Sequence, residues 1–270
     1  MVSNSSLKDK ETCLSVMPAE HASFINPRTE LVDEIIARVR HYHIIQVRGT
    51  PASGKTIVMQ LVANKLLEMY NHEPPIYIFY GWDREEVRAD TGWIAYLEKK
   101  TGVRGDHWPR YQAYLLLDEA QQSYWDDELW AALFKSIQRD AGATFVILFS
   151  SYGSPGRGNE GFNRQKHIKT PMVFARNQQI SMRPGIDDNL PIFIQYGESA
   201  ELRACRPVGL LLKEDETIDL LTRYTSAAMQ PSPSLLADLK RELFLISGGH
   251  VGLLIGIVDI LPRVPVSVSL

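Results

Sequence analysis

Residues 49–56 read Gly49-Thr50-Pro51-Ala52-Ser53-Gly54-Lys55-Thr56. The stretch fits the form G-x-x-x-x-G-K-[ST], in which each fixed residue type has a physical task. Gly49 and Gly54 let the backbone turn tightly and bring its N–H groups toward an anion. A helix opening at about Lys55 points its positive end at the same spot. The Lys55 ammonium is expected on the β- and γ-phosphates of a nucleotide, and the Thr56 hydroxyl on Mg²⁺. Contacts to the phosphates are expected along the whole run: Gly49, Thr50, Pro51, Ala52, Ser53, Gly54, Lys55, Thr56 and Ile57. By average residue usage, the pattern arises by chance in about one chain in a hundred of this length.

The flanks supply the context such a loop needs. His43-Ile44-Ile45-Gln46-Val47-Arg48 is short, apolar and β-branched, which predicts a buried strand. After the loop, Val58, Leu61, Val62, Leu66 and Met69 recur at helical spacing. Strand, glycine loop and helix follow one another as the motif requires.

A second strand must carry an acid for the metal. Tyr114-Leu115-Leu116-Leu117-Asp118-Glu119 fits. Its apolar run predicts a strand covered on both faces, as in a parallel sheet. Asp118 then emerges at the C-terminal end, where ligands bind in open α/β sheets. Its expected role is to hold Mg²⁺ through water, with Glu119 orienting or deprotonating the attacking water. The bland alternative is an acidic pair that ends a strand.

Other elements follow from pattern. Leu31, Ile35, Ile36 and Val39 predict an amphipathic helix ahead of the first strand. Residues 76–80 and 144–149 read as strands, and 93–99 as a helix. Residues 102–109 read as a polar linker. Asp126 is expected to cap a helix that buries Leu129, Trp130, Leu133, Phe134 and Ile137. Residues 151–170 hold four glycines and a proline, which predicts a long loop. Its Arg157, Arg164, Lys166 and Lys169 suit either solvation or contact with a partner or nucleic acid. A fifth strand is expected at 178–182, and 208–212 is a further apolar run. From 213 onward the pattern turns helical, with a last helix at 253–261 that Pro262 stops.

The 270 residues suit one nucleotide-binding domain and a small appendage. A net charge of −3 gives no global basic field for nucleic acid or an anionic membrane. The only cysteines are Cys13 and Cys205, which argues against a disulfide framework and for an intracellular, reducing compartment (cytoplasm or nucleus). The first 22 residues are polar and mixed in charge, which predicts a loose tail rather than a secretory leader. The longest apolar run, 251–258, is far short of the roughly 20 residues that span a bilayer.

Having both Asp118 and Glu119 at one strand end resembles the additional-strand P-loop ATPases, the division with AAA+ and STAND proteins. The runs RGTPASGKT, LLLDEAQQSYWDDELWAALFK, VILFSSYGS and GGHVG together resemble fungal Crinkler-like ATPase modules. The resemblance covers residues 24–261 and implies an α/β fold: a parallel-sheet P-loop NTPase core of the additional-strand type, followed by a small helical lid. The implied domains are a tail at 1–22, the core at 23–212, and lid plus C-terminal tail at 213–270. It implies ATP and Mg²⁺ as cofactors and ATP hydrolysis that controls a conformational switch. Ser150 or Ser151 would sense the γ-phosphate. Arg28, in the box Phe24-Ile25-Asn26-Pro27-Arg28, would lie near the adenine. His250 would face the nucleotide from the lid, although Val251 stands where STAND lids carry proline. Arg139 is a candidate arginine finger, and a surface arginine is its plain alternative. A homo-oligomer or a downstream protein would be the partner, and no membrane is implied. Three other uses stay open at this point: a ring motor on DNA or protein, a nucleotide-binding interaction module with negligible turnover, and a P-loop kinase.

Overall fold

The structure, a computed structural model, describes residues 25–70, 74–140, 143–151, 171–185, 193–196, 201–225 and 233–260. The expected tail at 1–22 and all of the 151–170 loop except Ser151 lie outside the described residues. Helix α1 (Thr29–Tyr42) leads into β1 (Ile44–Arg48), and the glycine loop leads into α2 (Lys55–Tyr70). Strand β2 (Ile76–Phe79) and the short helices α3 (Arg84–Ala89) and α4 (Trp93–Thr101) come next. Strand β3 (Ala113–Leu117) is followed by a 3₁₀ turn, Ala120–Ser123. A π-helical stretch, Leu129–Phe134, runs into α5 (Lys135–Asp140), and then comes β4 (Thr144–Ser150). The remaining strands are β5 (Gln179–Ile180), β6 (Phe193–Tyr196) and β7 (Glu201–Ala204). Three helices close the described chain: α6 (Glu214–Thr225), α7 (Pro233–Ser247) and α8 (Val251–Ile260).

Five strands form an all-parallel sheet in the order β2-β3-β4-β1-β5. Strand β4 therefore separates β1, which carries the glycine loop, from β3, which ends at Asp118. Helices cover both faces, and strand alternation sorts the side chains between them. Ile45, Val47, Tyr114, Leu116, Ile147 and Phe149 pack with α1 and α2. Ile44, Ala113, Leu115, Leu117, Val146 and Leu148 pack with α4, the π-helical stretch and Trp108. The fold class is α/β, as the apolar strands and helical periodicity predict. Strands β6 and β7 form a separate antiparallel pair, of which β6 lies against α1. No helix among the described residues is long and apolar enough to cross a membrane.

Local chemistry accounts for the elements that pattern misses. Helix α3 follows Asp83, whose carboxylate accepts from Glu85 and Glu86 N–H. The expected polar linker at 102–109 holds a 3₁₀ turn, Gly105–Arg110, because Trp108 is fully buried there. Strand β5 is shorter than expected. Residues 208–212 form no strand, although Leu210 and Leu211 N–H donate to the Ser181 and Met182 carbonyls. The carbonyls of Gly209, Leu210 and Leu211 are taken instead by Arg28. The last helix begins at Val251 rather than 253, since His250 opens it.

One ion pair ties α1 to the far edge of the sheet. Arg38 and Glu34 are both fully buried, with Nε 2.9 Å from Oε1. Arg38 also donates to the carbonyls of Gln179 (3.2 Å) and Arg206 (2.6 Å), and Glu34 accepts from Arg206 N–H (2.9 Å). Replacing Arg38 leaves a buried carboxylate without its cation. Arg38→Met is expected to cost about 3–5 kcal/mol, read as a lower urea midpoint with an unchanged slope.

Candidate functional site

The C-terminal ends of β1, β3 and β4 meet on one side of the sheet, the side where open α/β sheets bind ligands. The glycine loop leaves β1 there. Ala52 (φ 59°) and Gly54 (φ 85°) adopt left-handed backbone on either side of Ser53. Such alternation turns successive N–H groups toward a common point, a nest suited to an anion. The left-handed Ala52 costs about 1–3 kcal/mol and needs support. Gly252 N–H supplies some of it by donating to the Ala52 carbonyl (2.9 Å). At Gly49 a Cβ would lie 2.5 Å from Ser53 Oγ and 2.6 Å from Leu210, so glycine is required by close approach.

Lys55 lies over this loop, nearly buried, and its ammonium donates to the carbonyls of Thr50 (2.9 Å) and Gly49 (3.2 Å). Burial holds that ammonium below the usual lysine range, an effect the charges of Glu119 and Asp118 offset in part. A desolvated cation of this kind gains from an arriving anion. Thr56 Oγ1 donates to Asp118 Oδ2 at 2.6 Å, joining the first turn of α2 to the end of β3. The other Asp118 oxygen accepts from Glu119 N–H (3.0 Å). Glu119 is itself left-handed (φ 47°), which turns the chain sharply off the strand.

Lys55, Thr56 and Glu119 line one cavity of about 440 Å³, walled by residues 51–57 with Glu119, Gln121, Ser151 and Val251; Asp118 lies behind Thr56, to which it is bonded. No cluster of three His, Cys, Asp or Glu side chains able to hold a metal occurs among the described residues. Mg²⁺ is usually held by one or two protein oxygens, with phosphate and water completing its shell. The Thr56 hydroxyl and Asp118 carboxylate offer that donor set.

The two serines at the end of β4 part company. Ser150 is fully buried, its Oγ accepts from Gln46 Nε2 (2.9 Å), and it does not line the cavity. Ser151, one residue on, does line it. Strand alternation sends neighbours to opposite sides, and Gln46, which also donates to Tyr124 OH, claims the inner one. Gln121 was not marked by its spacing, yet it sits on the cavity wall. Its Nε2 donates to Glu119 Oε2, and its Oε1 accepts from Ser151 N–H (3.0 Å). Its sequence signal is its place in the run Asp118-Glu119-Ala120-Gln121, two residues after Glu119.

Helix α8 meets the loop end-on. His250 Nδ1 accepts from Leu253 N–H (3.3 Å), so the neutral ring carries its proton on Nε2 and donates it to Thr50 Oγ1 (2.9 Å). His250 thus reaches the loop itself. A second cavity of about 280 Å³ adjoins the first and shares Gly54, Ile57 and Val251 with it. Its walls are mostly apolar: Ile25, Val58, Leu212, Leu220 and Ile255 complete them, together with Asn26 and Arg28. Arg28 has its guanidinium tied to three carbonyls and to Glu216, so it shapes this cavity without presenting a free charge. Arg139 is exposed on α5 and lines neither cavity. The basic residues at 157, 164, 166 and 169 lie outside the described residues.

No protein-family model matches this chain, and no curated protein matches it.

The approach of α8 to the loop depends on Gly252, where a Cβ would lie 2.5 Å from the Ala52 Cβ and 2.7 Å from its carbonyl oxygen. Gly252→Ala is expected to push α8 off the loop. Hydrogen exchange should rise at residues 250–254 while the amides of β1, β3 and β4 keep wild-type protection.

Proposed function

We propose that this chain binds ATP with Mg²⁺ and hydrolyses it, and that the nucleotide controls the seating of α6–α8 on the sheet. The observation that carries the reading is the 2.6 Å contact of Thr56 with Asp118. It joins residues far apart in sequence at the mouth of the glycine loop, with Lys55 and Glu119 beside it. The sheet order supports an additional-strand P-loop ATPase, since a strand stands between the loop strand and the acid strand.

In this reading the loop amides, the α2 N-terminus and Lys55 bind the β- and γ-phosphates. Thr56 would hold Mg²⁺ directly and Asp118 through water, and the metal would supply positive charge beside the phosphates. Glu119 accepts a proton from the attacking water or orients it. Ser151, rather than Ser150, is the strand-end group facing the phosphates. The base occupies the adjoining, mostly apolar cavity, whose polar groups are already engaged: Asn26 donates to Asp219, and Arg28 is tied off. Such a wall suits the apolar faces of adenine and lacks a free side-chain carboxylate for the N–H edge of guanine. A switch is favoured over an interaction module because His250 and Gly252 of the lid bond the loop directly. A change in the loop on phosphate binding therefore reaches α8. Its output is assigned to a protein partner or a second copy of the chain.

Lys55→Ala is expected to abolish Mg²⁺-ATP binding by calorimetry, and wild-type affinity in that variant would remove the loop assignment. Glu119→Gln is expected to bind ATP normally and to hydrolyse it about 10²–10⁴-fold more slowly. Asp118→Asn should weaken binding in Mg²⁺ and leave metal-free binding close to wild type.

A further inference from the structure

Gln121 has a role in the site beyond closing a turn. The 3₁₀ turn Ala120–Ser123 crosses the ends of three strands, and adjacent glutamines fasten it on either side. Gln122 Oε1 accepts from Trp82 N–H just after β2 (3.3 Å). Gln121 spans the other way, between the Glu119 carboxylate and the backbone of Ser151 at the end of β4. Both its partners line the phosphate-side cavity, as it does itself.

The two partners make opposite demands. A carboxylate can only accept, and a backbone N–H can only donate. A primary amide meets both with one planar group, and its orientation is set by them. Glutamate there would still accept from Ser151 but would oppose the Glu119 charge. Methionine has the same reach and makes neither bond.

We propose that Gln121 is the positioning residue for Glu119, aiming its carboxylate into the cavity and coupling that aim to the end of β4. The inference rests on the ATPase reading, in which Glu119 handles the attacking water. A shift of about 1 Å in such a group costs on the order of 10²-fold in rate. The coupling also means that a displacement of Ser151 moves Glu119, so β4 and the base respond together.

The test uses the full chain and six proteins: wild type, Glu119→Gln, Gln121→Met, Gln121→Glu, and each Gln121 variant combined with Glu119→Gln. The readouts are turnover, affinity for a non-hydrolysable ATP analogue with Mg²⁺, and hydrogen exchange at the Ser151 amide. Both Gln121 variants are expected to lose about 10–100-fold in kcat while binding the analogue as wild type does. Combined with Glu119→Gln, neither should add a further loss, because both act through the same group. Exchange at Ser151 should rise in Gln121→Met and stay protected in Gln121→Glu. Slow turnover by Glu119→Gln with wild-type turnover by Gln121→Met overturns the role of Gln121 alone. Unchanged Ser151 exchange in Gln121→Met overturns it as well. Wild-type turnover by Glu119→Gln removes the base assignment, and the positioning role falls with it.

Discussion

The guanidinium of Arg28 determines where the helical part of this protein sits relative to the sheet. It donates to three consecutive carbonyls, those of Gly209, Leu210 and Leu211, and pairs with Glu216 on α6 (3.3 Å). Burial lowers its proton affinity, and the Glu216 charge offsets that cost in part. Asn26 completes the clasp by accepting from Arg28 N–H and donating to Asp219 of α6. The start of α1, residues 209–211 and α6 are thereby held together. Leu212 then meets Gly249, whose carbonyl accepts its N–H (2.8 Å), and α8 arrives over the loop. Both cavities depend on this arrangement, since Leu212, Val251 and Ile255 form walls that the sheet alone does not provide.

Beside α8, backbone strain and charge meet in a few residues. Ala52 and Glu119 both have left-handed backbone without being glycine, and both line one cavity. Conformations of this kind persist where surrounding contacts over-determine them. Here the contacts are the Gly252 N–H on Ala52 and the Asp118 carboxylate on the Glu119 N–H. Lys55 is held between its own loop carbonyls and the field of two acids. The fold itself thus gathers a desolvated cation, two acids and two left-handed residues around one loop.

Much of this was legible in the chain because it is local. The glycine loop, its flanking strand and helix, and the apolar run ending in Asp118 and Glu119 are contiguous patterns whose periods and turn residues specify backbone geometry. The Asp126 cap is of the same kind, its carboxylate accepting from Leu129 N–H (3.0 Å) and from Trp82 Nε1 (2.9 Å). Arg28 and Ser150 show where local reading stops. Each stands at a position where a polar residue suits a ligand, and each is engaged by the protein instead. Arg28 takes carbonyls about 180 residues away, and Ser150 takes the amide of Gln46 across the neighbouring strand. Partners at such separations leave no trace in spacing or composition.

The amino-acid order alone dictated an α/β fold and a glycine loop between β1 and α2, since backbone propensity, burial period and glycine placement act within a few residues. Tertiary packing chose among what remained. It put β4 between β1 and β3, brought Thr56 to Asp118, and turned Ser151 rather than Ser150 toward the cavity. It also placed Gln121 between Glu119 and β4, and set His250 on Thr50. Each of these outcomes depends on which buried polar groups find partners once distant segments are packed together. That choice belongs to the folded chain as a whole, because an unpaired polar group is costly only where water has been excluded.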